Sequence, residues 1–217
     1  MKRISDIRLY KSSEKENHIA FASKSLNIAV RRVTMKLREQ NFSLGEFDHL
    51  YLNFTTCRQK GTIELIDKVD PYHPWYRYCD IGVSQDEYEE LGTNDCTGYV
   101  YAKIEDVLVS LFGSEEVVKK SISEAEKGSE MLMRFKEKKA AKGIATIYLR
   151  LLENGKYLPL LCVTNLDGYE VFRVDLPETI DLNIIGEIQL SSKKITVKPR
   201  NNSLAMAQGL EPISFEL

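Results

Sequence analysis

Clustered glycines are missing from this chain of 217 residues. Its 12 glycines are scattered singly, and the closest pair, Gly92 and Gly98, is six residues apart. A dinucleotide-binding turn and a P-loop both need clustered glycines, because the backbone must approach a phosphate closely. The sequence therefore excludes both of these nucleotide-binding motifs.

The common catalytic signatures are missing as well. The chain holds three histidines and four cysteines, and it contains no G-x-S-x-G, H-E-x-x-H or C-x-x-C pattern. One short segment combines side chains of metal-binding types at a spacing that matches no established zinc pattern: Asp70, His73, Cys79 and Asp80. We therefore predict no catalytic residue, no metal site and no cofactor.

Long apolar runs are also absent. The amino-terminal residues are charged before any apolar run, and no uncharged stretch approaches the roughly 18–20 residues that span a bilayer. The four cysteines are far apart in a chain that is large enough to fold without disulfides: Cys57, Cys79, Cys96 and Cys162. We expect a cytoplasmic protein with reduced thiols and no membrane partner.

Charge is distributed unevenly along the sequence. Residues 1–40 hold ten Lys or Arg and four Asp or Glu, whereas residues 41–113 hold five and thirteen. The local net charges are therefore +6 and −8, although the whole chain carries only −2. Such segregation indicates how the protein attracts partners, and it carries no information about the fold.

Helices and strands are both predicted in the first two thirds of the chain. A capping box at 13–16 and apolar residues at three- and four-residue steps predict an amphipathic helix that ends near Asn41. Residues rich in β-favouring side chains predict strands at 50–56, 63–69 and 75–83. A second capping box at 84–87 predicts a short helix that ends at Gly92. Further helices are expected at 104–113 and 114–143.

The last third of the sequence predicts an antiparallel meander. Asn154–Gly155 and Asp167–Gly168 are typical of two-residue hairpin turns, and they separate β-rich runs at 144–152, 157–163 and 169–175. The predicted fold class is α+β, with an N-terminal amphipathic helix, a mixed middle and a C-terminal meander. We predict one domain, 1–217. The alternative is a division into two subdomains, a helix-rich one with aromatic and acidic strands and one with the meander and tail: 1–142 and 143–217.

The segment from Asp48 to Asp106 combines aromatic and acidic side chains. It holds seven of the eleven tyrosines and the only tryptophan. Aromatic rings are enriched at binding hot spots, and carboxylates steer a cationic partner. The alternative is that the rings face the core of a sheet while the acids are merely solvated. The predicted partner-binding residues are Asp70, Trp75, Tyr76, Tyr78, Asp80, Asp86, Glu87 and Glu90.

Two stretches stand out in this segment, LYLNFT at 50–55 and PYHPWYRYCD at 71–80. With these stretches, the chain resembles the immunity proteins of bacterial polymorphic-toxin systems. The resemblance implies a non-catalytic α+β protein that neutralises a cognate toxin domain. A toxin that cuts nucleic acid has a cationic cleft, which an acidic, aromatic surface can occupy with a fast, steered association.

Two other functions stay open at this point. The first is an enzyme that uses carboxylates of 70–95 as acid and base, which would show a deep pocket with perturbed carboxylates. The second is a nucleic-acid-associated regulator that uses the first helix, which would show a continuous basic face with Lys24, Arg31 and Arg38. A nucleic-acid partner is less favoured because the chain as a whole is slightly acidic.

Overall fold

The computed structural model describes residues 2–92 and 96–217 of the chain. The chain forms two compact units, Met1–Gly128 and Ser129–Leu217. Helices and strands both contribute to the fold, which confirms the predicted α+β class. The arrangement within that class differs from the prediction at the beginning of the chain and in its C-terminal half.

The first unit is built on a five-stranded sheet. Its elements are β1 (Asp6–Ser12), β2 (Ile19–Ala20), α1 (Lys24–Glu39), β3 (His49–Thr55), β4 (Ile63–Ile66), β5 (Tyr76–Gly82), α2 (Gln85–Glu90), α3 (Thr97–Phe112) and α4 (Glu115–Ala125). The strand order is β2-β1-β3-β5-β4. The three central strands are parallel, and β2 and β4 pair antiparallel at the two edges. This arrangement lets α1 act as the crossover between β1 and β3.

Alternation along the parallel strands divides this sheet into two faces. Every second residue is apolar and at most 5% exposed: Ile7, Leu9, Leu50, Leu52, Phe54, Cys79 and Ile81. Helix α1 packs on β1, and it also contacts α3 and α4. Its apolar residues are buried on almost every side, including Leu26, Val30, Val33 and Leu37. The hydrophobic core of the first unit therefore lies between one face of the sheet and the helices.

The predicted start of the first helix is wrong. Helix α1 begins after Ser23, whose side-chain oxygen accepts a hydrogen bond from the Leu26 N–H at 3.2 Å. The first capping-box residues instead form a turn between β1 and β2, in which the Glu16 N–H donates to the Ser13 hydroxyl at 3.2 Å. A capping box is a local signal, and here β1, which was not predicted, pairs with Ile19 and draws this segment into the sheet.

The second unit consists mainly of two antiparallel sheets. Its strands and helix are β6 (Met133–Ala140), β7 (Gly143–Leu151), β8 (Tyr157–Thr164), β9 (Glu170–Asp175), β10 (Ile185–Leu190), β11 (Lys194–Pro199), α5 (Ser203–Ala207) and β12 (Ile213–Glu216). One sheet has the order β6-β7-β8-β9 and the other β10-β11-β12. Gly155 and Gly168 have positive φ angles of +85° and +87° in the two hairpin loops. The predicted two-residue turns are nevertheless wrong, because the Leu152 N–H donates to the Lys156 carbonyl and the Asn165 N–H to that of Tyr169, which leaves three residues in each turn.

The predicted meander is therefore incomplete. Strands β7, β8 and β9 pair antiparallel within the predicted range, but a fourth strand, β6, lies where a helix was expected up to Gly143. Helix α4 ends at Ala125, and only a short 3-10 turn, Gly128–Glu130, precedes β6. Residues 133–140 contain good helix formers, and pairing with β7 overrides that preference.

Candidate functional site

The second face of the five-stranded sheet carries an unusual number of aromatic side chains. The register of the parallel strands places Asp6, His49 and Tyr76 side by side in one row. The next residues on this face form a second row: Arg8, Tyr51, Tyr78 and Ile66. The third row is polar apart from its first ring: Tyr10, Asn53, Asp80 and Glu64.

The rings of this face form one continuous cluster, which we call the aromatic surface. Its members are all partly exposed: Tyr10, His49, Tyr51, His73, Trp75, Tyr76 and Tyr78. Tyr51 lies at the centre, because its ring centroid is 5.4 Å from that of Tyr10, 4.6 Å from Tyr76 and 5.2 Å from Tyr78. Burial is the main reason that the pKa values of the Tyr51 and Tyr78 hydroxyls lie above their ordinary range. These tyrosines therefore remain neutral at physiological pH.

Tyr76 connects the sheet to the loop that precedes β5. The imidazole ring of His73 stacks on Tyr76 at 4.8 Å and 2°, and the His49 ring lies 5.1 Å away. Trp75 contacts both His73 and Tyr76 edge to face, at 5.5 and 5.9 Å. The aromatic surface thus extends beyond the sheet onto the loop that contains His73.

Carboxylates hold the two histidines of the aromatic surface in place. The Nδ1 atom of His49 lies 2.6 Å from Asp48 Oδ1, and that of His73 lies 3.2 Å from Asp70 Oδ2. The backbone N–H of Tyr72 donates to Asp70 Oδ1 at 2.8 Å, and this bond is the main reason that the pKa of Asp70 lies below its ordinary value. The Asp70 carboxylate is therefore charged at neutral pH.

Two cations already contact the aromatic surface. The guanidinium of Arg8 lies 5.5 Å from the centroid of the Tyr51 ring, and its Nε atom donates to Asp6 Oδ2 at 2.7 Å. The ammonium of Lys68 lies 5.0 Å from the centroid of the Tyr78 ring. Both contacts have the geometry of cation–π interactions.

A polar network closes the other end of this face, at the carboxyl ends of the strands. The Asn53 amide donates to the Ser12 hydroxyl at 3.0 Å and to Asp80 Oδ1 at 2.9 Å, and the Ser12 hydroxyl donates to that of Thr55 at 3.0 Å. Arg58 reaches the second carboxylate oxygen of Asp80 at 3.5 Å. Asp80 thus lies on the same face of the sheet as the aromatic rings, but its carboxylate belongs to a structural network.

The acidic residues of α2 are not beside the aromatic rings. Helix α2 follows the carboxyl end of β5, whereas Tyr76 opens that strand, so roughly 20 Å of strand separates Tyr76 from the start of α2. Glu87 also caps its own helix, because its carboxylate accepts from the Ser84 N–H at 2.8 Å and pairs with Lys60 at 3.2 Å. Asp86 and Glu90 are exposed.

The structure therefore divides the predicted binding residues into three groups. Trp75, Tyr76, Tyr78 and Asp70 come together with the aromatic surface, Asp80 belongs to the polar network, and the acids of α2 lie farther along the sheet. Three members of the aromatic surface and one cation that contacts it were not among the binding residues predicted from the sequence: Tyr10, His49, Tyr51 and Arg8. Alternation in LYLNFT could have placed Tyr51 opposite the buried leucines, but the register between strands has no signature in a single sequence.

The residues considered for a metal site do not converge. Cys79 is fully buried on the helix side of β5, and Asp80 points to the opposite face. In residues 2–92 and 96–217 no group of His, Cys, Asp and Glu side chains has a geometry that could hold a metal ion. All four cysteines are free thiols, and only Cys57 is exposed.

The basic residues of the first helix do not form a broad face. Lys24, Arg31 and Arg38 are exposed, but Arg32 and Lys36 are only 4% and 8% exposed. Lys36 pairs with Glu39 on the same helix. Lys24, Arg31 and Arg38 therefore form one narrow line along the helix, and this is less than a docked helix needs on a duplex backbone.

Comparison with protein-family models, with curated proteins and with solved structures finds no match for this chain. None of the described helices has both the length and the apolar character that a membrane crossing would need. The candidate site thus rests on the geometry of the first unit alone.

Proposed function

We propose that this protein is a non-catalytic binding module, an immunity protein that neutralises a cognate bacterial toxin domain. The observation that carries the proposal is the aromatic surface, whose seven partly exposed rings extend over three strands and the loop before β5. Rings on a sheet offer a large contact area and lose little conformational freedom on binding. Such a surface suits a protein partner.

The charges around the aromatic surface favour a cationic partner. Asp6, Asp48 and Asp70 lie along its edge, and each holds a neighbouring cation or imidazole in a fixed position. The acids of α2 extend the negative charge towards the other end of the sheet and contribute to long-range attraction. In this proposal the rings determine how long the complex lasts, and the carboxylates determine how fast it forms.

An enzymatic function has less support from the same residues. Two carboxylates within 70–92 have altered pKa values, and both are lowered. Asp70 accepts backbone hydrogen bonds, and at Glu87 the bonds from Ser84 and Lys60 outweigh an opposing effect of burial. A general acid at neutral pH needs the opposite change, because it must keep its proton. The proposal therefore assigns no catalytic residue.

The proposal can be tested by co-expression in bacteria. The cognate toxin domain should arrest growth when it is produced alone, and co-expression of the wild-type chain should restore growth. A Tyr51→Ala, Tyr76→Ala double variant that stays folded should lose this protection. Tyr169→Ala is the matched control, because this tyrosine is 72% exposed and lies in the second unit. Full protection by the double variant would contradict the proposal.

A further inference from the structure

We propose that a cavity of the second unit binds a small anionic amphiphile, a ligand with an apolar chain and a carboxylate head such as a medium-chain fatty acid. The cavity has a volume of about 450 Å³, and residues from the turns β6–β7, β8–β9 and β10–β11 line it. This volume is typical of small-molecule sites. The inference goes beyond the proposed function, because the aromatic surface belongs to the first unit.

Two features of the backbone shape this cavity. A Cβ atom at Gly143, the first residue of β7, would lie 2.3 Å from the Thr164 carbonyl oxygen, so the close approach of these two segments requires a residue without a side chain. In β9 the register shifts between the pairs made by Val163 and Thr164, which leaves Val171 in a bulge at the cavity. Bulges at sheet edges often redirect side chains beside functional sites.

The apolar part of the lining is incompletely covered by the protein. Val171 and Leu217 are 59% and 44% exposed, although apolar side chains of this size gain free energy when they are buried. Three smaller or less exposed apolar residues complete this part of the lining: Ala140, Val163 and Leu190. The chain of an apolar ligand would therefore bury surface that the second unit leaves in water.

The polar side chains of the lining suit an anion. Lys142 is the one charged side chain among the described residues that line the cavity, and no carboxylate of residues 2–92 and 96–217 is within ion-pair distance of it. Asn165 Oδ1 accepts the N–H groups of Asp167 and Tyr169 at 3.1 and 2.9 Å, so the amide nitrogen of Asn165 remains as a donor. An ammonium and an amide N–H both donate to a carboxylate.

A second cavity of the same unit differs in its charges. It has a volume of about 410 Å³, and its lining includes two lysines and two glutamates. One lysine and one glutamate of this set, Lys156 and Glu178, form an ion pair at 3.3 Å. The charges of this lining balance, so it favours no particular head group. Of the two cavities, the one beside Lys142 therefore favours an anionic head.

The test uses the full chain and three ligands that share an apolar chain and differ in their head group: octanoate, octanol and octylammonium. Titrations are followed by NMR at neutral pH through the amide signals of Lys142, Val171 and Leu190. Octanoate should bind about two- to fivefold more tightly than octanol, the range of an exposed ion pair, and octylammonium should bind more weakly than either. Butanoate should bind at least about tenfold more weakly than octanoate, because each buried methylene adds to the affinity.

Three substitutions separate the head group from the chain. Lys142→Gln should remove the preference for octanoate over octanol and leave octanol binding unchanged. Lys198→Gln is the matched control, because it removes the same charge from the second cavity, and it should change none of the affinities. Val171→Ser should weaken octanoate and octanol alike. If Val171→Ser lowers the unfolding midpoint, Lys142→Gln, an exposed residue of a turn, decides the test.

The absence of octanoate binding, or equal binding of octanoate and octylammonium, would overturn this inference. Equal binding of butanoate and octanoate would also overturn it, and so would a loss of the octanoate preference in Lys198→Gln instead of Lys142→Gln. None of these results affects the proposed function, which depends on protection against the toxin by the first unit.

Discussion

At the scale of single residues, the cysteines differ sharply in accessibility. Cys57 is exposed, whereas Cys79 is fully buried in the core of the first unit, and this burial is the main reason that the pKa of its thiol rises to about 12. The thiolate is the reactive form, so a raised pKa and a buried position both slow modification.

We therefore expect native protein at neutral pH to react with one equivalent of a maleimide, at Cys57. The other three thiols should react only after denaturation, and peptide mass spectrometry identifies the sites. A Cys57→Ser variant is the control and should show no fast reaction. Rapid labelling of Cys79 in the native protein would contradict its position on the helix side of β5.

The same raised pKa has a consequence for stability at high pH. The thiol of Cys79 has an ordinary pKa of 9.0 and a folded value of about 12, so its contribution to stability is complete below pH 9 and is lost as the pH rises towards 12. Tyr99 acts in the same direction, because burial raises its pKa to about 12. The urea midpoint should fall between pH 9 and pH 11, and a constant midpoint would contradict this prediction.

Gly82 shows a different constraint at the residue scale. A Cβ atom at this position would lie 1.9 Å from the carbonyl oxygen of Gln59, so the loop after β3 leaves no room for a side chain. Gly82→Ala should lower the free energy of unfolding by about 2 kcal/mol. Gly98→Ala is the matched control in α3, where the described residues leave open space, and it should be neutral or slightly stabilising. Similar unfolding midpoints for the two variants would contradict the close approach.

At the scale of elements, α2 shows how one carboxylate can have a structural role among solvated ones. Glu87 completes the capping box with Ser84, whereas Asp86 is exposed beside it. Glu87→Lys should therefore cost about 1 kcal/mol of stability, and Asp86→Lys should change stability little. Both should slow association with a cationic partner.

The contribution of Glu87 should also depend on pH. Its folded pKa lies below the ordinary value of 4.5, so the stabilisation is present above pH 4.5 and is lost as the pH falls through the folded value. Chemical denaturation at pH 7 and pH 3 measures this, and the difference between wild type and Glu87→Gln should be smaller at pH 3. An equal difference at both pH values would contradict the capping role.

The sequence predicted elements well where local chemistry decides them. The capping box of α2, the strand at 49–55 and the positions of the Asn–Gly and Asp–Gly turns are examples, because each depends on a few neighbouring residues. The length of these turns was wrong, since each has three residues where two were predicted. Strands β1 and β6 were not predicted. For β6, the reason lies outside its own residues. β6 lies at a sheet edge and consists mainly of Lys, Glu and Ala, so only its pairing with β7 makes it a strand.

The candidate site could be predicted only in part for the same reason. Tyr76 and Tyr78 were found because they belong to an aromatic run, whereas Tyr10 and Tyr51 come from strands far away in the sequence. The acids of α2 were grouped with the rings because they follow them closely along the chain. Tyr76 and Tyr78 nevertheless lie in the first half of β5, whereas α2 begins after the last residue of that strand.

At the scale of the whole molecule, the aromatic surface belongs entirely to the first of the two compact units. Residues 1–128 contain its sheet and its helices, so this fragment should fold by itself and should bind the cognate toxin domain with the affinity of the full chain. Circular dichroism measures the folding, and a titration with that toxin domain measures the binding. A folded fragment without binding would show that the second unit contributes to the site.

The most direct test of the partner-binding role is the dissociation rate of the cognate toxin domain. Trp75→Ala and Tyr76→Ala should each cost about 2 kcal/mol or more, which corresponds to dissociation about 30 times faster. Tyr169→Ala in the second unit should leave the rate unchanged. Unchanged dissociation for both variants of the aromatic surface, with folding intact, would contradict its role as the binding site.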